Sequence, residues 1–192
     1  MAVVEEESAA GKGAAEDSDS ELVEETFGDL SMKSAGTLLP PPVRASSGRG
    51  KLVSILVEKI GLKDATKYYE PYVTVSLVDG NGATIGRPQD TPASNRRRGP
   101  FYIVFGCTAH LQTMLEDIPK NSAIFFEFKH FKPKKKYVST RCWAFLELDE
   151  INPEGGGELV LELYKKPTDP KRKKIRLLSI KPLYLHLRIQ IT

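Results

Sequence analysis

The chain has 192 residues, with 28 Lys and Arg against 25 Asp and Glu, and 40% hydrophobic residues. The charge is split: residues 1–50 hold 10 acids and 4 bases, and residues 51–192 hold 15 acids and 24 bases. This excludes a uniformly acidic unfolded chain and a uniformly basic histone-like one, and no run approaches the roughly 18 apolar residues of a membrane-spanning helix.

Met1–Glu7 is acidic and has no apolar core, so no secretory leader is expected and the expected compartment is the cytoplasm. Residues 1–47 read as a disordered, acidic, Pro-containing tail, because Glu, Asp, Ala, Gly and Ser there bury too little to fold. Within it, Leu22, Val23, Phe27 and Leu30 fall on one side of a short helical pattern that is marginal alone. Leu38–Val43 contains Pro40, Pro41 and Pro42 and favours polyproline II. Ser46–Gly50 reads as a linker, and residues 48–192 as one domain.

From Lys51 onward the hydrophobic period is two. Val53, Ile55 and Val57 alternate with Ser54 and Glu58, and Val73, Val75 and Leu77 with Thr74 and Ser76. A weaker strand covers Ala83–Arg87. After a Gly-Pro break come Phe101, Ile103 and Phe105. Ala109–Asp117 reads as a helical turn. Ile124, Phe126, Phe128 and His130 share one face, with Glu127 and Lys129 on the other. Then follow Ala144, Leu146 and Leu148; Leu159, Leu161 and Leu163; and Leu183 to Ile191 at every second position. Turn residues separate these runs: Asp79–Gly82, Gly99-Pro100, Asn152-Pro153 and Gly155–Gly157. One apolar and one polar face per strand predicts an all-β, eight-stranded antiparallel sandwich. Periodicity alone leaves immunoglobulin-like, jelly-roll and C2 topologies open.

The residues narrow this. Leu52–Leu62 followed by Glu70-Pro71-Tyr72-Val73-Thr74-Val75 resembles the opening of C2 domains, and Ala123–Phe128 their acidic, aromatic-rich strand. Four longer blocks resemble the Aida family (axin interactor, dorsalization-associated protein): Val57–Ala65, Ala123–Lys135, Glu162–Lys174 and Lys181–Leu187. The resemblance covers roughly residues 48–188. It implies a C2-type domain that binds phosphoinositide-containing membranes, with an axin-like scaffold as protein partner and a part in axin/JNK-pathway regulation. The longer members also carry an N-terminal helical domain, for which the 50 residues before Lys51 are no substitute.

Calcium-binding C2 domains gather several carboxylates, because Ca²⁺ takes six to eight oxygen ligands. Asp64, Glu70 and Glu127 are the weak candidates here. Lys129 stands where a second acid is expected, and His130–Lys136 holds no carboxylate. A cation among the ligands opposes the metal, so binding is expected to be calcium-independent. Cys107 and Cys142 belong to no Cys/His cluster and read as reduced, buried thiols. His110, His130 and His186 belong to no hydrolase or metalloprotease motif, so neither catalysis nor a cofactor is expected.

The basic runs remain. Lys129, Lys132, Lys134, Lys135, Lys136 and Arg141 form one, bracketing Phe131 and Tyr137, which read as interface anchors. Lys171, Arg172, Lys173 and Lys174 lead the second, and Arg96–Arg98 form a third. Such density calls for solvent or an anionic partner. An anionic phospholipid surface gains about 1 kcal/mol per basic residue held near it, which favours a protein peripheral at membranes. The alternative is a scaffold module docking an acidic protein surface, for example a tubulin lattice. Nucleic acid lacks a reading motif here, and the tail is acidic.

Overall fold

The computed structural model describes residues 35–43 and 50–192. The expected tail disorder and the short helix around Leu22–Leu30 lie outside the described residues. Ten strands follow in chain order: β1 (Val53–Gly61), β2 (Tyr69–Val78), β3 (Thr84–Asp90), β4 (Arg97–Arg98), β5 (Tyr102–His110), β6 (Ala123–Lys132), β7 (Tyr137–Glu147), β8 (Gly157–Leu161), β9 (Tyr164–Lys165) and β10 (Leu185–Ile191). The eight longer ones are the expected strands; β4 and β9 are two-residue additions at sheet edges. They form two five-stranded antiparallel sheets, ordered β4-β5-β1-β10-β8 and β3-β2-β6-β7-β9.

The alternation is satisfied because each sheet turns its apolar set inward. Val53, Ile55 and Val57 of β1 meet Val73, Val75, Ile124, Phe126, Phe128 and Leu146 from the facing sheet in one core. His130 lies on the same inner face, edge-on to the core ring of Tyr68 at 4.9 Å. Two expectations fail locally. The Ala109–Asp117 stretch is not one helical turn: β5 continues to His110, where Ser54 pairs with it, and only Leu115–Asp117 coil into a 3-10 turn. Phe101 does not join Ile103 and Phe105 inside but stays 47% exposed, because it precedes the strand proper.

Two features go beyond the two-layer pattern. Trp143, Phe125, Val78 and Ala123 form a second buried cluster on the outer face of the β2-β6-β7 sheet, with Phe145 and Tyr164 against it. Phe125 stacks on Trp143 at 5.6 Å and on Phe145 at 5.9 Å. Residues 164–172 strap this face: Tyr164 packs on Trp143, Thr168 donates to Glu127 and Arg172 meets Glu147, while Leu163 and Leu178 at either side of the strap pack into the inner core. The second feature is residues 35–43, part of the expected tail, which run beside β3. Thr37 N–H donates to the Asp90 carbonyl at 2.8 Å, and Leu39 N–H to Gln89 Oε1 at 2.9 Å. Buried Gln89 in turn donates to the His110 carbonyl, so one side chain joins this segment, β3 and β5.

Candidate functional site

The first basic run is a hairpin. Lys132 pairs with Tyr137 across the β6–β7 turn, and the N–H groups of Lys135 and Lys136 both donate to the Lys132 carbonyl, at 3.1 and 2.8 Å. Lys136 takes a left-handed backbone (φ 56°), which closes the turn. Pro133, Lys134, Lys135 and Lys136 are exposed at its tip. Lys132 Nζ lies 3.0 Å from the Tyr137 hydroxyl and 5.2 Å from its ring centroid, so the two fix each other. Phe131 and Tyr137 are only half-buried; Phe131 sits 6.1 Å from the ring of Tyr69.

A β-bulge sets the rest. Phe128 pairs with Cys142 but Lys129 pairs with Thr140, leaving Arg141 as the extra residue. Its Nε donates to the Tyr68 hydroxyl at 3.2 Å. Lys129 points along the outer face and pairs with Glu127 at 3.1 Å, so its charge is already opposed. Burial pushes His130 down to about 4, helped by the cations of Lys132, Arg141 and Lys166, and opposed by the Phe131 carbonyl. The ring is neutral at pH 7 and adds no charge to the patch.

The second basic run is built differently. Asp169 accepts the N–H groups of Lys171, Lys173 and Lys174 at 3.1, 2.8 and 2.7 Å. These bonds, that from Lys174 foremost, hold its carboxyl below the usual range. Lys171, Lys173 and Lys174 are exposed around it. Arg172 is not: its Nε pairs with Glu147 at 2.9 Å and its Nη2 donates to the Asn121 carbonyl at 3.0 Å. Contrary to the expectation for an anion ligand, Arg172 is a tie between the strap and the sheet. The two runs also fail to converge. Lys132–Lys136 lie where β6 ends, whereas Arg172 meets Asn121 and Glu147, where β6 begins and β7 ends. Ten residues at ~3.3 Å each put roughly 30 Å between them.

Around the hairpin, four segments gather at one end of the sandwich. Tyr69 pairs with Phe131 where β2 begins. Leu62 N–H donates to the Phe101 carbonyl at 2.7 Å, and Gly61 N–H to the Tyr184 carbonyl at 2.8 Å. The 62–68 loop, the 99–101 turn, the hairpin and the 178–184 loop therefore share one end.

The weak calcium candidates are not assembled. Asp64 faces solvent beside Lys67 at 3.8 Å, and Glu127 sits mid-strand, accepting the Thr168 hydroxyl and Lys129. Among the described residues no three His, Cys, Asp or Glu side chains stand as a metal-binding group. Ser54 Oγ lies 2.8 Å from His110 Nδ1, the register pair across β1 and β5, and Gln89 and Gln112 both bond the His110 carbonyl. Burial pushes the Cys107 thiol to about 11 and the Cys142 thiol to about 12, so neither is a thiolate nucleophile at neutral pH. Among the described residues no helix is long and apolar enough to cross a membrane.

Sequence reasoning missed the role of the strap. Its signal was present in three aromatic residues, Trp143 and Phe145 at alternate positions of β7 and Phe125 on the adjacent strand, all on the face that alternation assigns to solvent.

Comparison with known proteins agrees with this architecture. Residues 39–189 match the family model described as axin interactor dorsalisation-associated protein, C-terminal. Proteins named "Axin interactor, dorsalization-associated protein" from Danio rerio and Homo sapiens are each 54% identical over 153 residues, 79% of this chain and 48% of theirs. The Mus musculus protein of that name is 52% identical over 159 residues, 82% of this chain and 50% of its own. The chain thus spans about half the length of the curated relatives it matches. Among solved structures, the C2A domain of plant Extended Synaptotagmin 1 superposes with a TM-score of 0.50 at 15% identity, covering 74% of this chain and 94% of that one. This likeness identifies the fold as a C2-type sandwich.

Proposed function

The chain belongs to the axin interactor, dorsalization-associated family, and we propose that its C2-type domain is a non-catalytic module that binds anionic, phosphoinositide-containing membranes without calcium. The supporting observation is the β6–β7 hairpin, which exposes Lys134, Lys135 and Lys136 at a loop end of the sandwich. Pro133 and the double bond to the Lys132 carbonyl limit the entropy lost when such a loop meets a surface. Three exposed lysines near an anionic surface gain about 3 kcal/mol together. Of the three candidate carboxylates, Asp64 lies in a loop, Glu70 at the start of β2 and Glu127 mid-strand on β6, where it is already held by Thr168 and Lys129. In this reading the protein is peripheral at the cytoplasmic face of membranes. Sedimentation with phosphoinositide-containing vesicles tests it: binding that falls with salt and is indifferent to EDTA supports the reading, and absence of binding at low salt rejects it.

A protein partner is the second reading, favoured by the relatives' name, axin interactor. An axin-like scaffold with an acidic surface suits the same lysines, and a part in axin-dependent regulation follows from it. A stoichiometric complex with an axin fragment in the absence of lipid is the result that distinguishes it.

A further inference from the structure

We infer that Ile180, in the loop between Leu178 and Leu183, is an apolar anchor that enters the acyl region when this end of the sandwich meets a bilayer. The inference rests on the membrane reading above and gives it an orientation. Ile180 is 97% exposed. Its loop is nevertheless tied at both feet, where Leu178 N–H donates to the Leu163 carbonyl at 2.7 Å and Gly61 N–H to the Tyr184 carbonyl at 2.8 Å, and it is folded on itself by Leu183 N–H donating to the Lys181 carbonyl at 2.7 Å. The side chain is presented on a fixed loop.

A single exposed aliphatic residue is ordinary on a protein surface. The surroundings set this one apart. Tyr69 (53% exposed) and Phe101 (47%) stand at the same end of the fold, where β2 begins and before β5. Exposed Lys63, Arg98, Lys134, Lys135 and Lys181 surround that end and outnumber its exposed acids Asp64 and Glu162, which are met by Lys67 at 3.8 Å and by the Tyr164 hydroxyl at 3.2 Å. An acidic protein surface would match the charge and leave three large apolar side chains wet. An anionic bilayer accepts both: headgroups take the lysines, the interface takes Tyr69 and Phe101, and the acyl boundary takes Ile180.

The test uses the full chain and phosphatidylcholine–phosphoinositide vesicles whose phosphatidylcholine acyl chains are brominated near the headgroup. Ile180→Trp places a reporter in the loop, with the fully buried Trp143 as an internal reference shielded from the bromines. Vesicles should quench the fluorescence of Ile180→Trp but not that of the unaltered chain. Ile180→Ser should weaken sedimentation about tenfold and abolish its salt-resistant part, as the transfer of one aliphatic side chain implies. Val43→Ser, equally exposed but three residues from Pro40, which Gln112 holds beyond the opposite end of β5, should leave sedimentation unchanged. Sedimentation without quenching, together with an Ile180→Ser variant that binds normally, overturns the anchor and leaves the membrane reading standing. If the unaltered chain does not sediment at low salt, the membrane reading falls and the anchor falls with it.

Discussion

The indole N–H of Trp143 donates to the main-chain carbonyl of Lys165 at 2.9 Å. That bond joins the outer face of β7 to the strap, and its neighbours complete the attachment: Tyr164 packs on Trp143 at 5.3 Å, Thr168 donates to Glu127, and Arg172 meets Glu147. The strap therefore closes a second apolar layer and carries the Lys171–Lys174 turn with it. Trp143→Phe should keep the stacking and lose the bond, costing about 1 kcal/mol. It should also speed tryptic cleavage between Lys171 and Arg176. An unchanged cleavage rate would mean the strap is held by its other contacts alone.

Phe125 and Phe126 face opposite sides of β6, yet each is 1% exposed. Phe126→Ala should cost about 3–5 kcal/mol in denaturant unfolding, the usual range for a buried ring. Phe125→Ala should cost a similar amount. A loss below about 1 kcal/mol for Phe125→Ala would show that the strap does not seal the outer face in solution.

Reversing Lys134, Lys135 and Lys136 to Glu changes the hairpin charge by six. It should abolish sedimentation with phosphoinositide vesicles at ~0.1 M salt, where fields reach about 10 Å. Stability should move by only about 0.5 kcal/mol, since these side chains are exposed at a loop tip. The same reversal of Lys171, Lys173 and Lys174 should have the smaller effect, because that turn lies at the far end of β6. The opposite order of effects would move the site to the strap.

His130 makes stability depend on pH. Its folded pKa is depressed to about 4, against 6.5 unfolded, so the unfolded chain binds the proton first. Its contribution is complete above pH 6.5 and is lost as pH falls from 6.5 toward 4. Allowing for the partly exposed ring, the loss is about 2 kcal/mol. Burial of His186 acts in the same direction. Denaturant melts of His130→Gln should show a flatter profile across this interval than the unaltered chain. Equal slopes would mean that the folded ring takes up its proton normally.

The period of two, read from the chain itself, determined the eight strands, their inner faces and the antiparallel pairing, because a residue's side of a strand is a local property. It also placed the lysines of the hairpin on a turn, since Pro133 and the surrounding alternation leave no other place for them. Tertiary structure decided what lies against the other face. Alternation assigns Phe125, Trp143 and Phe145 to solvent, but ring stacking and a strap arriving from residues 164–172 bury Phe125 and Trp143 and leave Phe145 half-buried against them. The same long-range packing turned Arg172 from a surface cation into a tie to Glu147, docked Thr37 and Leu39 against β3, and set the two basic runs at opposite ends of one strand. Each of these depends on contacts between residues far apart in sequence, where periodicity carries no information.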